Sequence, residues 1–235
     1  MHSKSKNNKT PQRIFITGTD TDAGKTVVAT QLLQALATAG YSTAALKPLA
    51  AGADNIASVL RNSDAVQLQA AATEEHSYER VNPYLFSEAI APHIAASNEK
   101  REIHFDECVT RCLPVLESDA DFVVVEGAGG WLVPINNQYT MADLAKALDL
   151  QVVLVVGMKL GCINHALLTA AAVEQAGLPL LGWVANHVHE DMCEATANVA
   201  ALTARLPCPL LAELPYSASI ESADFVDRFD LSLLV

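Results

Sequence analysis

The chain has 235 residues, 51% of them apolar, with 15 Lys and Arg against 27 Asp and Glu and a formal charge of −12. That length and apolar content suffice for a large core in a single α/β unit. The acidic balance argues against a nucleic-acid groove and against electrostatic attachment to an anionic membrane, both of which need a basic surface.

Residues 1–11 form a polar head with Lys4, Lys6 and Lys9 and no apolar segment. A disordered head, no signal peptide and a cytoplasmic location are expected, with residues 12–235 as one domain. No stretch reaches the roughly eighteen continuous apolar residues of a membrane span. Cys108, Cys112, Cys162, Cys193 and Cys208 contain no C-x-x-C pair, which suits free thiols in a reducing compartment.

A short apolar run at 14–16 meets Gly18, a small polar loop, and then Gly24-Lys25-Thr26 before an apolar helical pattern. Strand, phosphate loop and helix is the reading. Glycines let the backbone turn and approach a ligand, and loop N–H groups with the helix N-terminus favour an anion. Lys25 adds charge for the β and γ phosphates, and Thr26 offers a hydroxyl to Mg²⁺. Five residues separate the glycines, Thr19 to Ala23, where the common pattern has four. The alternative is a capped strand–helix turn with Lys25 in solvent.

The periodicity continues a helix over 27–39, capped by Gly40, and a strand over 42–46 that stops at Lys47-Pro48. Residues 49–58 read as a loop, and Asn62-Ser63-Asp64 as the start of a helix to about residue 72. Residues 73–104 read as irregular, with a short strand at 84–86. A helix over 105–116 should be kinked or shortened by Pro114. An apolar strand over 121–126 ends at Glu126, followed by Gly127-Ala128-Gly129-Gly130. Then come a helix at 141–149, a strand at 152–157, a helix at 163–175, a strand at 180–186, a helix at 192–206 and a strand at 210–214.

Apolar strands alternating with helices imply a mainly parallel sheet covered on both faces. Ligands of such sheets bind at the carboxyl ends of the strands. The 18–26 loop, Lys47, 126–130, 157–161 and Asn186 should therefore share one edge. There Glu126 could hold Mg²⁺, and Asp64 could either cap its helix or join the metal. Lys47 and Lys159 could be solvated lysines or cations on a transferring phosphoryl group. Asn186 could read a base edge. His187, His189 and Cys193 are too few for zinc, and His93 reads as a packed or surface histidine.

Further motifs are K-P-L-A-A-G (47–52), R-N-S-D (61–64), V-N-P-Y (81–84), A-P-H (91–93), V-E-G-A-G-G-W (125–131), V-G-M-K-L-G-C-I-N-H (156–165) and G-W-V-A-N (182–186). In this order, with G-T-D-T-D-A-G-K-T, the chain resembles the dethiobiotin synthetase family from residue 13 onward. The longer phosphate loop is that family's form. The resemblance implies a P-loop NTPase-like sheet in a homodimer, acting on 7,8-diaminononanoate, CO2 or bicarbonate and Mg-ATP, through a carbamate and a carbamic–phosphoric anhydride.

It implies Lys47 and Lys25 as catalytic residues and Thr26, Asp64 and Glu126 as the metal site. Asp22, Ala23, Gly24, Lys25, Thr26 and Val27 would bind the triphosphate, with Gly127, Ala128 and Gly129 lining nucleotide and substrate. Asn186, His187, Pro215, Tyr216 and Ser217 would surround the base. Thr21, Ala51, Lys159, Leu160 and Asn164 would contact substrate, the last three across the dimer. The sequence departs from the family at Ala51, often serine, at Asp22, often glutamate, and at His187, often an acid. The ribose-binding acid falls on Ser222 or the adjacent Glu221. A rival reading is a P-loop ATPase switch of the partitioning type, but its second loop lysine is absent between Gly18 and Gly24, and no basic membrane-seeking helix accompanies it.

Overall fold

The computed structural model describes residues 10–56, 58–217 and 225–235. In chain order it contains β1 (Gln12–Gly18), α1 (Lys25–Thr38), β2 (Thr43–Leu46), β3 (Leu49–Ala51), β4 (Asp54–Ile56), β5 (Val59–Arg61) and α2 (Ser63–Ala71). These are followed by α3 (Tyr78–Val81), β6 (Tyr84–Phe86), α4 (Pro92–Asn98), α5 (Phe105–Leu116) and β7 (Phe122–Gly130). The remainder is α6 (Met141–Ala147), β8 (Gln151–Met158), α7 (Cys162–Gln175), β9 (Leu180–His187), α8 (Ala195–Thr203), β10 (Leu210–Leu214) and two short 3₁₀ turns.

Six strands form a fully parallel sheet in the order β10-β9-β8-β1-β7-β2. From β1 the chain passes β7 to reach β2, returns to β7, and then crosses β1 to β8. The order therefore reverses around β1, and the crevice at the carboxyl end of β1 is where such sheets bind ligands. Alternation along the strands sends Phe15, Val123, Val125 and Val152 to the face covered by α5 and α6. Leu154, Val156, Trp183 and Ala185 continue that face under α7 and α8. Ile14, Ile16, Val124, Val153 and Val155 point to the other face, against Val28, Leu32 and Leu36 of α1 and Phe229 and Leu234 of the tail. Burial on both faces explains why these strands are continuously apolar. No helix among the described residues is long and apolar enough to cross a membrane.

Several elements differ from the sequence expectation. Residues 49–58 contain strands: β3 pairs in parallel with β6, and β4 with β5 forms a small antiparallel hairpin. Strands of three residues are too short to show a period. The cap of α2 is Asn62, whose Oδ1 accepts the Ala65 N–H at 3.1 Å, and not Ser63 or Asp64. The 73–104 segment also holds α3 and α4. Pro114 does not shorten α5, which runs on to Leu116; it lies in the last turn, where one helical bond is forgone. β7 runs on through the glycines to Gly130, which lies opposite Gly18, so Glu126 is inside a strand and not at its end. The helix expected over 192–206 is only α8, preceded by Glu194 in a left-handed conformation (φ 56°). Residues 1–9 of the head, and the candidate ribose residues Glu221 and Ser222, lie outside the described residues.

Candidate active site

The loop between β1 and α1 turns on two left-handed residues, Asp22 (φ 59°) and Gly24 (φ 87°). Neighbouring strands clamp it. The Thr19 N–H donates to the Val155 carbonyl at 3.0 Å, and Asn186 Nδ2 donates to the Ala23 carbonyl at 2.9 Å. A Cβ on Gly24 would collide with Asn186 Nδ2, and one on Gly157 would lie 3.1 Å from Ala23 Cα. The start of α1 has no side-chain cap. Its first N–H groups, with the loop amides, are therefore available to an anion, which the helix dipole favours. Val27 lies half-buried in the same first turn.

Lys25 is buried, with Nζ 3.1 Å from the Asp20 carbonyl. Burial above all holds its ammonium below the ordinary lysine range; Glu126 opposes this and Lys47 adds to it. A buried lysine so placed, with no carboxylate bonded to its Nζ among the described residues, is suited to phosphate oxygens.

β2 delivers Lys47 to the same edge, only 4% exposed. Its Nζ lies 2.6 Å from Glu126 Oε1 and 2.9 Å from Asp64 Oδ2. Burial alone would lower its pKa, but the two carboxylates outweigh that and raise it. Lys47 is therefore a fixed ammonium at neutral pH. Thr26 Oγ1 donates to the same Glu126 Oε1 at 2.9 Å. Four side chains from β2, α2, α1 and β7 thus meet at one point.

Glu126 Oε2 is buried and has no partner among the described residues. A buried carboxylate oxygen left idle beside a threonine hydroxyl and a second carboxylate is an oxygen donor set for a hard cation such as Mg²⁺. Among the described residues no group of three or more His, Cys, Asp or Glu could hold a metal. Two carboxylates and one hydroxyl fit a cation that takes its remaining ligands from water and substrate phosphates.

Lys159, on the loop after β8, reaches the phosphate loop and not the Lys47 cluster: its Nζ lies 2.6 Å from Asp20 Oδ2. Asp20 was not singled out by the sequence, although its place among the loop's small residues was a signal. Leu160 (99% exposed) and Asn164 stand out from the start of α7. Thr21 faces the segment of β7 that carries Gly127, Ala128 and Gly129, its Oγ1 3.6 Å from where a Gly129 Cβ would lie. Gly127 has Phe15 packed so closely that a Cβ would fall 2.8 Å from its ring. Ala51 ends β3, half-buried, beside Gly52.

His187 Nε2 lies 2.9 Å from Glu213 Oε1 of β10. Pro215, Tyr216 and Ser217 directly follow Leu214, which is in register with Asn186, so they leave the sheet at the same edge.

The AAA domain family matches residues 12–224. The chain is 55% identical over 210 residues to the ATP-dependent dethiobiotin synthetase BioD of Cellvibrio japonicus, covering 89% of this chain and 91% of that protein. It is 47% identical to BioD 1 of Escherichia coli K12, covering 95% and 99%. Among solved structures it is similar to the septum site-determining protein MinD complexed with Mg-ADP from Pyrococcus horikoshii, with a TM-score of 0.54 and 18% identity over 95% of this chain and 88% of that one, a likeness of fold. These identities over nearly the whole chain show that it belongs to the family of ATP-dependent dethiobiotin synthetases, ligases that form C–N bonds.

Proposed function

We propose that this chain uses ATP to carboxylate 7,8-diaminononanoate and close it to dethiobiotin. The observation that carries the reading is the buried Lys47 ammonium bridging Glu126 and Asp64 next to the phosphate loop. One substrate amine, as the free base, captures CO2 as a carbamate and gives up a proton. A carbamate oxygen attacks the γ-phosphorus, and ADP leaves. The second amine attacks the carbamoyl carbon of the resulting anhydride, and its nitrogen loses a proton as phosphate leaves and the cyclic urea forms. The carbamate, the anhydride and the leaving phosphates are anions, and the nucleophiles come from the substrate itself, so positioning and charge neutralisation suffice and no protein nucleophile is required.

Lys47, already charged and desolvated, would neutralise the carbamate and the γ-phosphoryl group. Lys25 and the loop amides would hold the β and γ phosphates, with Ala23, Gly24 and Val27 bringing backbone close and Asp22 completing the turn. Thr26, Asp64 and Glu126 would hold Mg²⁺, which would screen charge between the β and γ phosphates. Asn186 would face adenine, with His187 and Pro215 to Ser217 around the base. Thr21, Ala51 and the Gly127–Gly129 backbone would line the diamine, and Lys159, Leu160 and Asn164 would receive its carboxylate tail, completed by a second copy of the chain. The exposed Leu160 fits burial in such a dimer.

The test is to supply isotope-labelled bicarbonate with Mg-ATP and the diamine. Label recovered in a cyclic urea supports the reading; label absent from any diamine product contradicts it. The switch reading draws only on the shared fold, since the MinD likeness is distant while the synthetase relatives match throughout.

A further inference from the structure

We propose that Tyr78 and Asn82 are positioning residues, which set Lys47 and Asp64 at their working separation through a closed ring of hydrogen bonds, buried except where it ends on Asp64. The proposal rests on the roles given above to Lys47 and Asp64. Neither Tyr78 nor Asn82 reaches the site.

The ring can be followed bond by bond. The Lys47 carbonyl accepts from Asn82 Nδ2 at 2.7 Å, and Tyr78 Oη donates to Asn82 Oδ1 at 3.0 Å. The Asn62 N–H donates to Tyr78 Oη at 2.7 Å. Asn62 caps α2, whose second residue is Asp64, and Asp64 closes the ring on Lys47 Nζ. The direction of each bond is forced. A backbone N–H can only donate, so the phenol oxygen accepts from Asn62 and spends its own proton on Asn82 Oδ1. Asn82 Nδ2 faces two carbonyls, of Lys47 and, at 3.2 Å, of Tyr84, which fixes the amide's orientation.

The backbone reinforces the ring. The Lys47 N–H donates to the Val81 carbonyl, and the Asn82 N–H to the Tyr78 carbonyl, both at 2.7 Å. Lys47 and Asn82 each precede a proline, which holds both out of the helical region. Asn62 Nδ2 also donates to the Gly52 carbonyl at 2.9 Å.

Tyr78, Asn62 and Asn82 are each under 8% exposed. Plain packing would be served by apolar residues at lower risk, because a buried polar group left unpaired is costly. What the polar ring adds is geometry. It ties the main chain at Lys47 to the helix start that carries Asp64, so ammonium and carboxylate are placed from both ends. The V-N-P-Y and R-N-S-D motifs thereby gain a physical role.

Tyr78→Phe keeps the ring's shape and leaves the Asn62 N–H and Asn82 Oδ1 unpaired. The expected result is a kcat reduced roughly ten- to a hundredfold, the scale on which a distant substitution acts when it misplaces a catalytic group. By calorimetry, a non-hydrolysable ATP analogue should need several-fold more Mg²⁺ to bind tightly. Binding of the analogue without Mg²⁺, and KM for the diamine, should not change. A lower melting temperature with wild-type kcat and Mg²⁺ titration would overturn the proposal. Should Tyr78→Phe fail to fold, Asn82→Leu, assayed well below its melting temperature, must show the same pattern.

Adding Tyr78→Phe to Asp64→Asn should shift the Mg²⁺ titration little further; full additivity would contradict action through Asp64. If Asp64→Asn alone leaves that titration intact, the metal assignment fails. The ring is then judged on kcat, which Tyr78→Phe must still reduce.

Discussion

Lys159 Nζ lies 2.6 Å from Asp20 Oδ2, so an ion pair ties the loop after β8 to the phosphate loop. The same Asp20 supplies the carbonyl that receives Lys25 Nζ. Asp20 Oδ1 is buried without a partner among the described residues. The pair is partly exposed, which allows a substrate carboxylate to compete for the lysine. Lys159→Ala should raise KM for the diamine by roughly ten- to a hundredfold, the worth of one hydrogen bond to a charged group at about 1.5–3 kcal/mol. KM for ATP should change less, because the Asp20 carbonyl that holds Lys25 is main chain and stays in place. Initial rates against each substrate check this, and an unchanged diamine KM would remove Lys159 from the substrate site.

Lys25 and Lys47 should respond oppositely to replacement. Burial depresses the Lys25 pKa, so its charge is a cost to the folded state at neutral pH, relieved as pH rises through the folded value toward 10.5. Lys47 has a raised pKa, so its stabilising bridge is fully present below 10.5 and is lost only as pH climbs through the folded value. Lys25→Met should therefore melt higher than wild type without nucleotide, yet lose stabilisation by Mg-ATP. Lys47→Ala should melt lower, because it leaves the buried Glu126 carboxylate without its cation, at a cost of about 3–5 kcal/mol. It should bind ATP and lose roughly 10²–10³ in kcat, the magnitude seen when one charge-stabilising donor is removed. Thermal melts with and without nucleotide, and single-turnover rates, test both.

Gly24 and Gly40 separate backbone strain from site geometry. Both have positive φ, 87° and 93°. A Cβ on Gly24 would strike Asn186, whereas one on Gly40 would meet nothing within 4 Å. Gly40→Ala should cost only the left-handed strain, about 1–2 kcal/mol, with ATP affinity intact. Gly24→Ala should add displacement of Asn186 and loss of the close phosphate approach, weakening ATP at least tenfold by calorimetry. Equal ATP affinities in the two variants would deny the loop its nucleotide role.

The residues that end long strands could be found from sequence because the apolar runs are buried on both faces and their ends mark one edge. Lys47, the glycines before Lys25, and Asn186 all lie where a parallel sheet must put them. What escaped depends on contacts between distant segments. β3 and β6 are three-residue strands joined across the chain. The extension of β7 past Glu126 follows from the pairing of Gly130 with Gly18. Asn62, Ser63 and Asp64 all favour a cap by type; the Tyr78 hydroxyl on the Asn62 N–H helps hold Asn62 there, and this frees Asp64 to meet Lys47. Asp20 was passed over although its loop was placed on the right edge, because the pairing of its carboxylate with Lys159 depends on the contact between the two loops.

The most direct test is phosphate release from Mg-ATP and bicarbonate, with and without 7,8-diaminononanoate, with product mass measured alongside. Phosphate should appear only with the diamine, one per dethiobiotin formed. Phosphate release indifferent to the diamine would contradict the proposed reaction while leaving the nucleotide-binding fold in place.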